Sequence, residues 1–149
     1  MDARTRQIVA LMNVPPATWR ATKHIFQVSY DEESGRRRAE LLKSRGYAVI
    51  SVIGNEAAKL LLSSIQPYDL FIVGSAAPEQ TRGEMVDWLR AQYPGVKILA
   101  LNPPNQLVLL ADYNVPHEDA ENWLPIVSQE LSSSSAGRPG SIKASTISA

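Results

Sequence analysis

The pattern of apolar and polar residues centres on a short stretch in the middle of the chain. Residues 70–73 are an unbroken apolar run that Tyr68 and Asp69 precede, and Gly74 and Ser75 follow the run. An apolar run without alternation is typical of a strand covered on both faces, as in a parallel sheet with helices on each side. In such sheets ligands and chemistry lie just beyond the carboxyl ends of the strands. Here that place is Gly74 and Ser75, whose side chains offer little chemistry.

Similar patterns predict the other elements. Apolar runs rich in β-branched residues predict four further strands, at residues 24–28, 48–53, 96–101 and 106–113. Apolar residues at helical spacing predict four helices, at residues 36–45, 56–64, 79–92 and 120–131. Strands that alternate with helices through short loops form a parallel sheet with right-handed crossovers. We therefore predict an α/β, flavodoxin-like fold with five parallel strands in the order 2-1-3-4-5.

Polar residues in and between these elements carry four smaller predictions. Residues 29–35 are polar and acidic, which predicts a loop. Asn55 follows a glycine and is expected to cap the second helix. Residues 36–38 are three consecutive arginines, and a solvated helix face is favoured over an anion-binding patch. Asp69 precedes its strand and is expected to cap a turn.

The two ends of the chain differ in composition from the middle. Residues 1–23 carry four basic residues and one acid, and the pattern of residues 4–13 favours a short helix that Pro15 and Pro16 end. This N-terminal extension is a docking arm or, as we favour, a frayed segment. Residues 132–149 are rich in serine and contain no acid, which predicts a disordered tail. The folded domain is therefore expected to span residues 24–131.

Composition narrows the class of protein. The net charge of the 149-residue chain is zero, whereas nucleic-acid binders are normally basic. The chain has no cysteine and two histidines, so we expect no disulfide, no metal site and no cofactor. The first apolar run, residues 8–12, is too short for a signal peptide or a membrane span. These features predict a cytoplasmic protein that binds neither nucleic acid nor membrane.

Two motifs resemble a known family. The stretch Tyr68 to Val73, with Pro78 beyond it, and the stretch Arg45 to Val49 are similar to the corresponding parts of response-regulator receiver domains. The spacing between the first strand and the end of the first helix also fits. The resemblance covers roughly residues 24–131 and implies a CheY-like fold within a two-component, phosphorelay type of signalling.

The resemblance also implies a phosphorylation site, from which this chain departs. In the family, two acids at the end of the first strand hold Mg²⁺, and an Asp after the third strand accepts the phosphoryl group. A Thr or Ser ends the fourth strand and a Lys ends the fifth. The matching positions in this sequence are Ser29, Tyr30, Gly74, Asn102 and Val115.

A shifted alignment does not restore the missing groups. No Asp or Glu occurs between Asp69 and Glu79, and no Lys occurs between Lys97 and Lys143. The acids at residues 31–33 come one or more residues too late for the metal positions. The resemblance therefore implies a degenerate receiver without its phosphoacceptor aspartate.

The architecture departs as well. Only residues 103–115 lie between Asn102 and Pro116, where a receiver fits a whole helix and the fifth strand. The fourth helix of the family is thus expected to be missing. In receivers the face formed by this helix, the fifth strand and the fifth helix mediates much of dimerisation and output.

Three functions are compatible with this sequence. The first is a phosphorylation-independent pseudo-receiver, a signalling or protein-interaction module with a protein partner, which is possibly a homo-oligomer and not an enzyme. The second is a flavodoxin-like domain that binds a nucleotide or flavin through residues 29–35 and the Gly74 turn. The third is a hydrolase that uses Ser75 with His117 or His24, although the G-x-S-x-G elbow is absent. We favour the first.

Overall fold

The computed structural model describes residues 22–64, 66–107, 110–116 and 119–136, in which five strands alternate with helices. The strands are β1 (His24–Ser29), β2 (Ala48–Ile53), β3 (Leu70–Val73), β4 (Lys97–Leu101) and β5 (Tyr113–Val115). The helices in these ranges are α1 (Glu32–Ser44), α2 (Asn55–Leu61), α3 (Glu79–Gln92) and α4 (Ala120–Ala136).

All five strands belong to one parallel sheet. Its strand order is β2-β1-β3-β4-β5, as the sequence predicts. In the middle of the sheet Ile25 pairs with Leu70, and Leu70 pairs with Lys97. The flavodoxin-like, CheY-like fold is therefore confirmed, with β3 at the centre and apolar on both faces.

Two apolar clusters cover the two faces of the sheet. On one face, side chains of α2 and α3 such as Ala58, Met85 and Leu89 pack against the sheet with the ring of Phe71. On the other face, side chains of α1 and α4 pack against the sheet, and Trp123 is buried there. Each fully buried large apolar side chain contributes about 1.5–3 kcal/mol, so the two clusters fix the helices on the sheet.

The first helix starts earlier than the sequence predicts. Residues 29–35 are not a loop, because α1 begins at Glu32. The side chain of Asp31 accepts a hydrogen bond from the backbone N–H of Ser34 (2.9 Å) and caps the helix. The acids in the first turn are favoured there by the helix dipole, so the charges that suggested a loop are the start signal of a helix.

The connection between β4 and β5 is the second difference. The predicted strand at residues 106–113 is wrong, since β5 begins only at Tyr113. Leu107 and Leu110 are exposed, at 59% and 50% of their full surface, so these two leucines do not enter the core. No helix occurs between β4 and β5 in the described residues of this segment, 102–107 and 110–112, in agreement with the predicted loss of the fourth helix.

The end of the domain lies beyond the predicted boundary. Helix α4 continues to Ala136, so residues 132–136 are helical rather than part of a disordered tail. The helix is anchored by Leu131, which is buried, and serine extends an existing helix at modest cost. The predicted extension, up to residue 21, and the tail from residue 137 lie outside the described residues. No helix within the described ranges is long and apolar enough to span a bilayer.

Candidate functional site at the carboxyl edge of the sheet

The positions implied by the receiver resemblance meet at one edge of the sheet. Ser29 ends β1, Gly74 follows β3, Asn102 follows β4 and Val115 ends β5. The backbone N–H of Gly74 donates to the carbonyl of Val28 (2.8 Å), and that of Asn102 donates to the carbonyl of Val115 (2.8 Å). All four positions are buried. The structure thus brings together the residues that the sequence comparison singled out.

Ser29 is held in a tight contact between strand and helix. Its hydroxyl donates to the carbonyl of Val52 (3.3 Å), and the backbone of Gly35 in α1 faces it. A Cβ added at Gly35 would lie 2.8 Å from the Cβ of Ser29, which is closer than real side chains approach. Helix α1 therefore lies against β1 only because residue 35 has no side chain.

We expect Gly35→Ala to destabilise the domain by about 1–3 kcal/mol, because the added methyl group overpacks the contact with Ser29. Helix propensity alone would favour alanine by about 1 kcal/mol. The matched control is Gly83→Ala in α3, where an added Cβ meets nothing within 4 Å and a gain is expected. Chemical denaturation measures both. Equal stability of the two variants would contradict the tight contact.

Arg38 lies against Gly74. This side chain of α1 is buried, with 4% of its surface exposed. Its Nε donates to Oε1 of Gln27 (2.5 Å), and Nε2 of Gln27 donates in turn to the carbonyl of Gly35 (2.7 Å) and to Oγ of Ser51 (2.8 Å). A Cβ added at Gly74 would lie 3.1 Å from a terminal nitrogen of Arg38. The guanidinium therefore occupies the space that a side chain at position 74 would enter.

Arg82 of α3 is the second buried arginine near this edge. It is fully buried and donates to the carbonyl of Ala77 (2.9 Å), to Oδ1 of Asn102 (2.8 Å) and to Oε1 of Gln106. Nδ2 of Asn102 donates to Oδ1 of Asn114 (2.9 Å), which extends the network to β5. Burial lowers the pKa of Arg82 from its ordinary value, and Glu79 opposes this shift. The side chain ties α3, β4 and the β4–β5 connection together.

Tyr30 faces the α2 and α3 side of the sheet. Its hydroxyl donates to Oδ1 of Asn55 (2.6 Å), and Nδ2 of Asn55 donates to the carbonyl of Thr81 (3.0 Å). Asn55 was expected to cap α2, but the cap residue is Gly54 and Asn55 bridges Tyr30 to α3 instead. Burial raises the pKa of Tyr30 well above its ordinary value, so this phenol is neutral near pH 7.

The residues at this edge do not fit Mg²⁺. That ion takes oxygen ligands in octahedral geometry and is usually held by carboxylates. Ser29, Tyr30 and Gly74 supply no carboxylate, and the Arg38 guanidinium lies beside Gly74. The neighbouring Asp31 carboxylate caps α1, and its hydrogen bond from Ser34 lowers its pKa. No group of three acidic, histidine or cysteine residues that could hold a metal occurs in the described ranges.

Sequence reasoning missed both arginines, although a signal for each was present. The buried face of α1 is Gly35, Arg38, Ala39 and Leu42, and that of α3 is Arg82, Met85, Val86 and Leu89. Each arginine sits at helical spacing from its apolar neighbours, and this spacing could have placed it inward. The predicted solvated face is confirmed for the other two arginines of the triplet, which form exposed pairs with Glu40 (3.3 Å) and Glu33 (3.8 Å).

The other two sequence-based candidates lack the expected geometry. His24 begins β1 at the opposite edge, and its backbone N–H donates to the Asp69 carboxylate (2.7 Å). Ser75 follows the carboxyl end of β3 and lies six residues beyond the position level with His24, which is about 20 Å along the strands. His24 therefore cannot serve Ser75, and His117 lies outside the described residues. A phosphate loop at residues 29–35 is also absent, since α1 takes up most of that segment.

The fold of this chain is similar to that of solved receiver domains. The signal receiver domain of an HD domain-containing protein from Pseudomonas fluorescens has a TM-score of 0.65 at 20% identity, covering 74% of this chain and 95% of that chain. The response regulator TrrA from Thermotoga maritima in complex with Mg²⁺-BeF has a TM-score of 0.61 at 23% identity, covering 74% of this chain and 99% of that chain. A chain of the complex between histidine kinase ThkA and TrrA has a TM-score of 0.63 at 22% identity, covering 74% of this chain and 99% of that chain. No protein-family model matches the chain, and no curated protein matches it in sequence. The chain therefore has the fold of response-regulator receiver domains.

Proposed function

We propose that this protein is a phosphorylation-independent pseudo-receiver, a signalling or protein-interaction module in a two-component type of system. The observation that carries the proposal is the pairing of Gly74 with Arg38 at the carboxyl end of β3. Phosphorylation of a receiver needs a carboxylate there, because the product is an acyl phosphate. Glycine offers no acceptor atom, and a guanidinium fills the adjoining space.

The surrounding side chains support a fixed state rather than a switch. In an active site of close carboxylates, like charges disfavour each other's ionised form until a cation relieves them. Here Ser29 and Asn102 are neutral, buried and hydrogen-bonded, and Tyr30 is a neutral phenol bonded to Asn55. We propose that the signal is set by expression level or partner binding, not by phosphoryl transfer.

We expect acetyl phosphate with MgCl₂ to leave the protein unmodified, because position 74 has no carboxylate and Mg²⁺ has no ligand set. Intact-mass spectrometry under non-acidic quenching measures this result. TrrA, which binds Mg²⁺-BeF, is the positive control in the same reaction. A stable phosphoryl adduct mapped to the residues around Gly74 would overturn the proposal.

A protein partner is the second part of the proposal. TrrA has this fold and forms a complex with histidine kinase ThkA, which supports a protein of a signalling pathway as the partner of this chain. The partner surface differs from that of a receiver, because the fourth helix is replaced by the connection that exposes Leu107 and Leu110. We propose a cytoplasmic, non-enzymatic module that uses no cofactor.

A further inference from the structure

Strand β2 lies at an edge of the sheet: in the described ranges it has β1 on one side and no strand on the other. The backbone N–H groups of Ala48 and Gly54, at its two ends, donate to carbonyls in β1 and just before it (2.9 Å each). Alternate residues of a strand direct their N–H and C=O groups to opposite sides, so every second residue between these two points its backbone groups away from β1. These outward residues are Val49, Ser51 and Ile53. Such a row of outward groups is a template for one further strand.

The side chains of β2 leave both sides of this edge apolar. Ile50 lies on the same face of the sheet as Val52, and Ile53 lies on the opposite face, because successive side chains of a strand alternate. Ile50 and Ile53 are exposed, at 39% and 51% of their full surface. Strand β2 has no charged residue and no proline, which commonly protect an open edge. A segment that covers this edge therefore needs apolar side chains on both of its faces.

The chain contains a segment of this kind before the sheet. Residues 8–14, with the sequence IVALMNV, carry no charge, and two prolines follow them. A short unbroken apolar run suits a strand with two apolar faces as well as it suits a helix. A helix uses its N–H and C=O groups internally, so only the extended form can pair with the outward backbone groups of β2.

The place where the described chain begins brings this segment within reach of the edge. Thr22 lies just before β1, at the end of the sheet where β2 also begins. A strand outside β2 would lie two strand spacings from β1, which is about 10 Å. Residues 15–21 can span up to about 23 Å when extended, so they can pass the start of β2. Residues 8–14 would then run toward this end of the sheet, antiparallel to β2.

We propose that residues 8–14 pair with the outer side of β2 as an antiparallel sixth strand, which makes the N-terminal extension a docking arm. Its backbone groups bond to those of Val49, Ser51 and Ile53, and its apolar side chains cover Ile50 and Ile53. The arm also closes the edge to other chains, which could otherwise pair with it. This inference goes beyond the proposed function and does not depend on it, since β1 separates β2 from the strand that leads to Gly74.

Amide hydrogen exchange of the full ¹⁵N-labelled chain, followed by NMR, tests this pairing. We expect the amides of Val49, Ser51 and Ile53 to exchange about tenfold or more slowly than in the double variant Val9→Pro, Ala10→Pro. Of two neighbouring residues in a strand, one directs its N–H toward β2, so this pair of prolines removes a hydrogen bond in either register. The amides of Ile50 and Val52 point to β1 and should stay protected in both proteins, which shows that the domain is folded.

The matched control is the double variant Ala3→Pro, Arg4→Pro, which places two prolines in the same extension outside residues 8–14. It should keep the slow exchange of the three outward amides, and that exchange should not depend on protein concentration. Fast exchange of these amides in the unchanged chain would overturn the proposal. Protection that grows with protein concentration would also overturn it and assign the edge to a second copy. Protection that persists in the Val9→Pro, Ala10→Pro variant would overturn it by assigning the edge to another segment.

Discussion

Replacing Arg82 by alanine should lower the free energy of unfolding by about 3 kcal/mol or more. The side chain is fully buried and donates to Ala77, Asn102 and Gln106. Its removal leaves Oδ1 of the buried Asn102 without its donor, which costs about 1–3 kcal/mol, and also removes the part-buried bonds to Ala77 and Gln106 and the packing of a fully buried side chain. That is a large part of the 5–15 kcal/mol that typically stabilises a domain. Urea denaturation followed by circular dichroism measures the loss.

Two further variants separate the causes of that loss. Arg82→Lys keeps the charge but cannot reach three acceptors in fork geometry, so we expect an intermediate loss. Arg36→Ala removes an exposed arginine that pairs with Glu40 and should cost less than about 0.5 kcal/mol. If Arg82→Ala were as stable as Arg36→Ala, the buried network would not contribute to the fold.

The second large effect concerns the acceptor position itself. Gly74→Asp places a carboxylate beside the Arg38 guanidinium, where we expect a buried ion pair rather than a Mg²⁺ site. Adding Arg38→Met to that variant leaves the carboxylate buried without its cation, which typically costs about 3–5 kcal/mol. In a double-mutant cycle we expect a coupling energy of about 2 kcal/mol between positions 74 and 38.

Gly74→Asn is the matched control for this cycle. It has the size of aspartate without the charge, and its coupling to Arg38→Met should be small. The melting temperature of Gly74→Asp should respond to MgCl₂ no more than that of the unchanged protein. A saturable rise specific to Gly74→Asp would show that the carboxylate binds the metal in preference to Arg38.

The elements that the sequence predicts best are those with the least ambiguous pattern. Strand β3 and helix α3 have the predicted bounds, because an unbroken apolar run and a long helical periodicity each admit one structure. The predicted start of α1 was wrong because the acids of residues 31–33 suit both a loop and a helix N-terminus. The hydrogen bond from Ser34 to Asp31 decides between them.

The predicted position of the fifth strand was wrong for a different reason. An apolar run predicts burial only if the chain path brings it under another layer, and Leu107 and Leu110 at the two ends of this run are exposed. The observed strand β5 has three residues, of which Val115 alone is buried. Its position follows from pairing with β4, where Leu99 pairs with Tyr113, and no local pattern encodes that pairing.

For the candidate site, the family resemblance located the positions but did not show which side chains fill the space between them. Ser29, Gly74 and Asn102 were located through the resemblance, and the structure brings them to one edge. Arg38 was expected on a solvated helix face, where charged residues usually lie, and Arg82 was not singled out. Helical spacing is the sequence signal for both arginines, and the packing of α1 and α3 on the sheet shows that Arg38 and Arg82 point inward.

The connection between β4 and β5, in whose described residues no helix occurs, has a consequence for the unfolded chain. Asp112 closes this connection: its backbone N–H donates to the carbonyl of Ile98 (2.9 Å), and its carboxylate accepts from the N–H of Ile98 (2.8 Å) and from Arg90 (2.6 Å). The entropy of closing a flexible loop changes by only about 0.6 kcal/mol for each doubling of its length. Loss of a whole helix from this crossover therefore saves little chain entropy. The paired hydrogen bonds between Asp112 and Ile98 hold the shortened crossover in place and anchor the start of β5 beside β4.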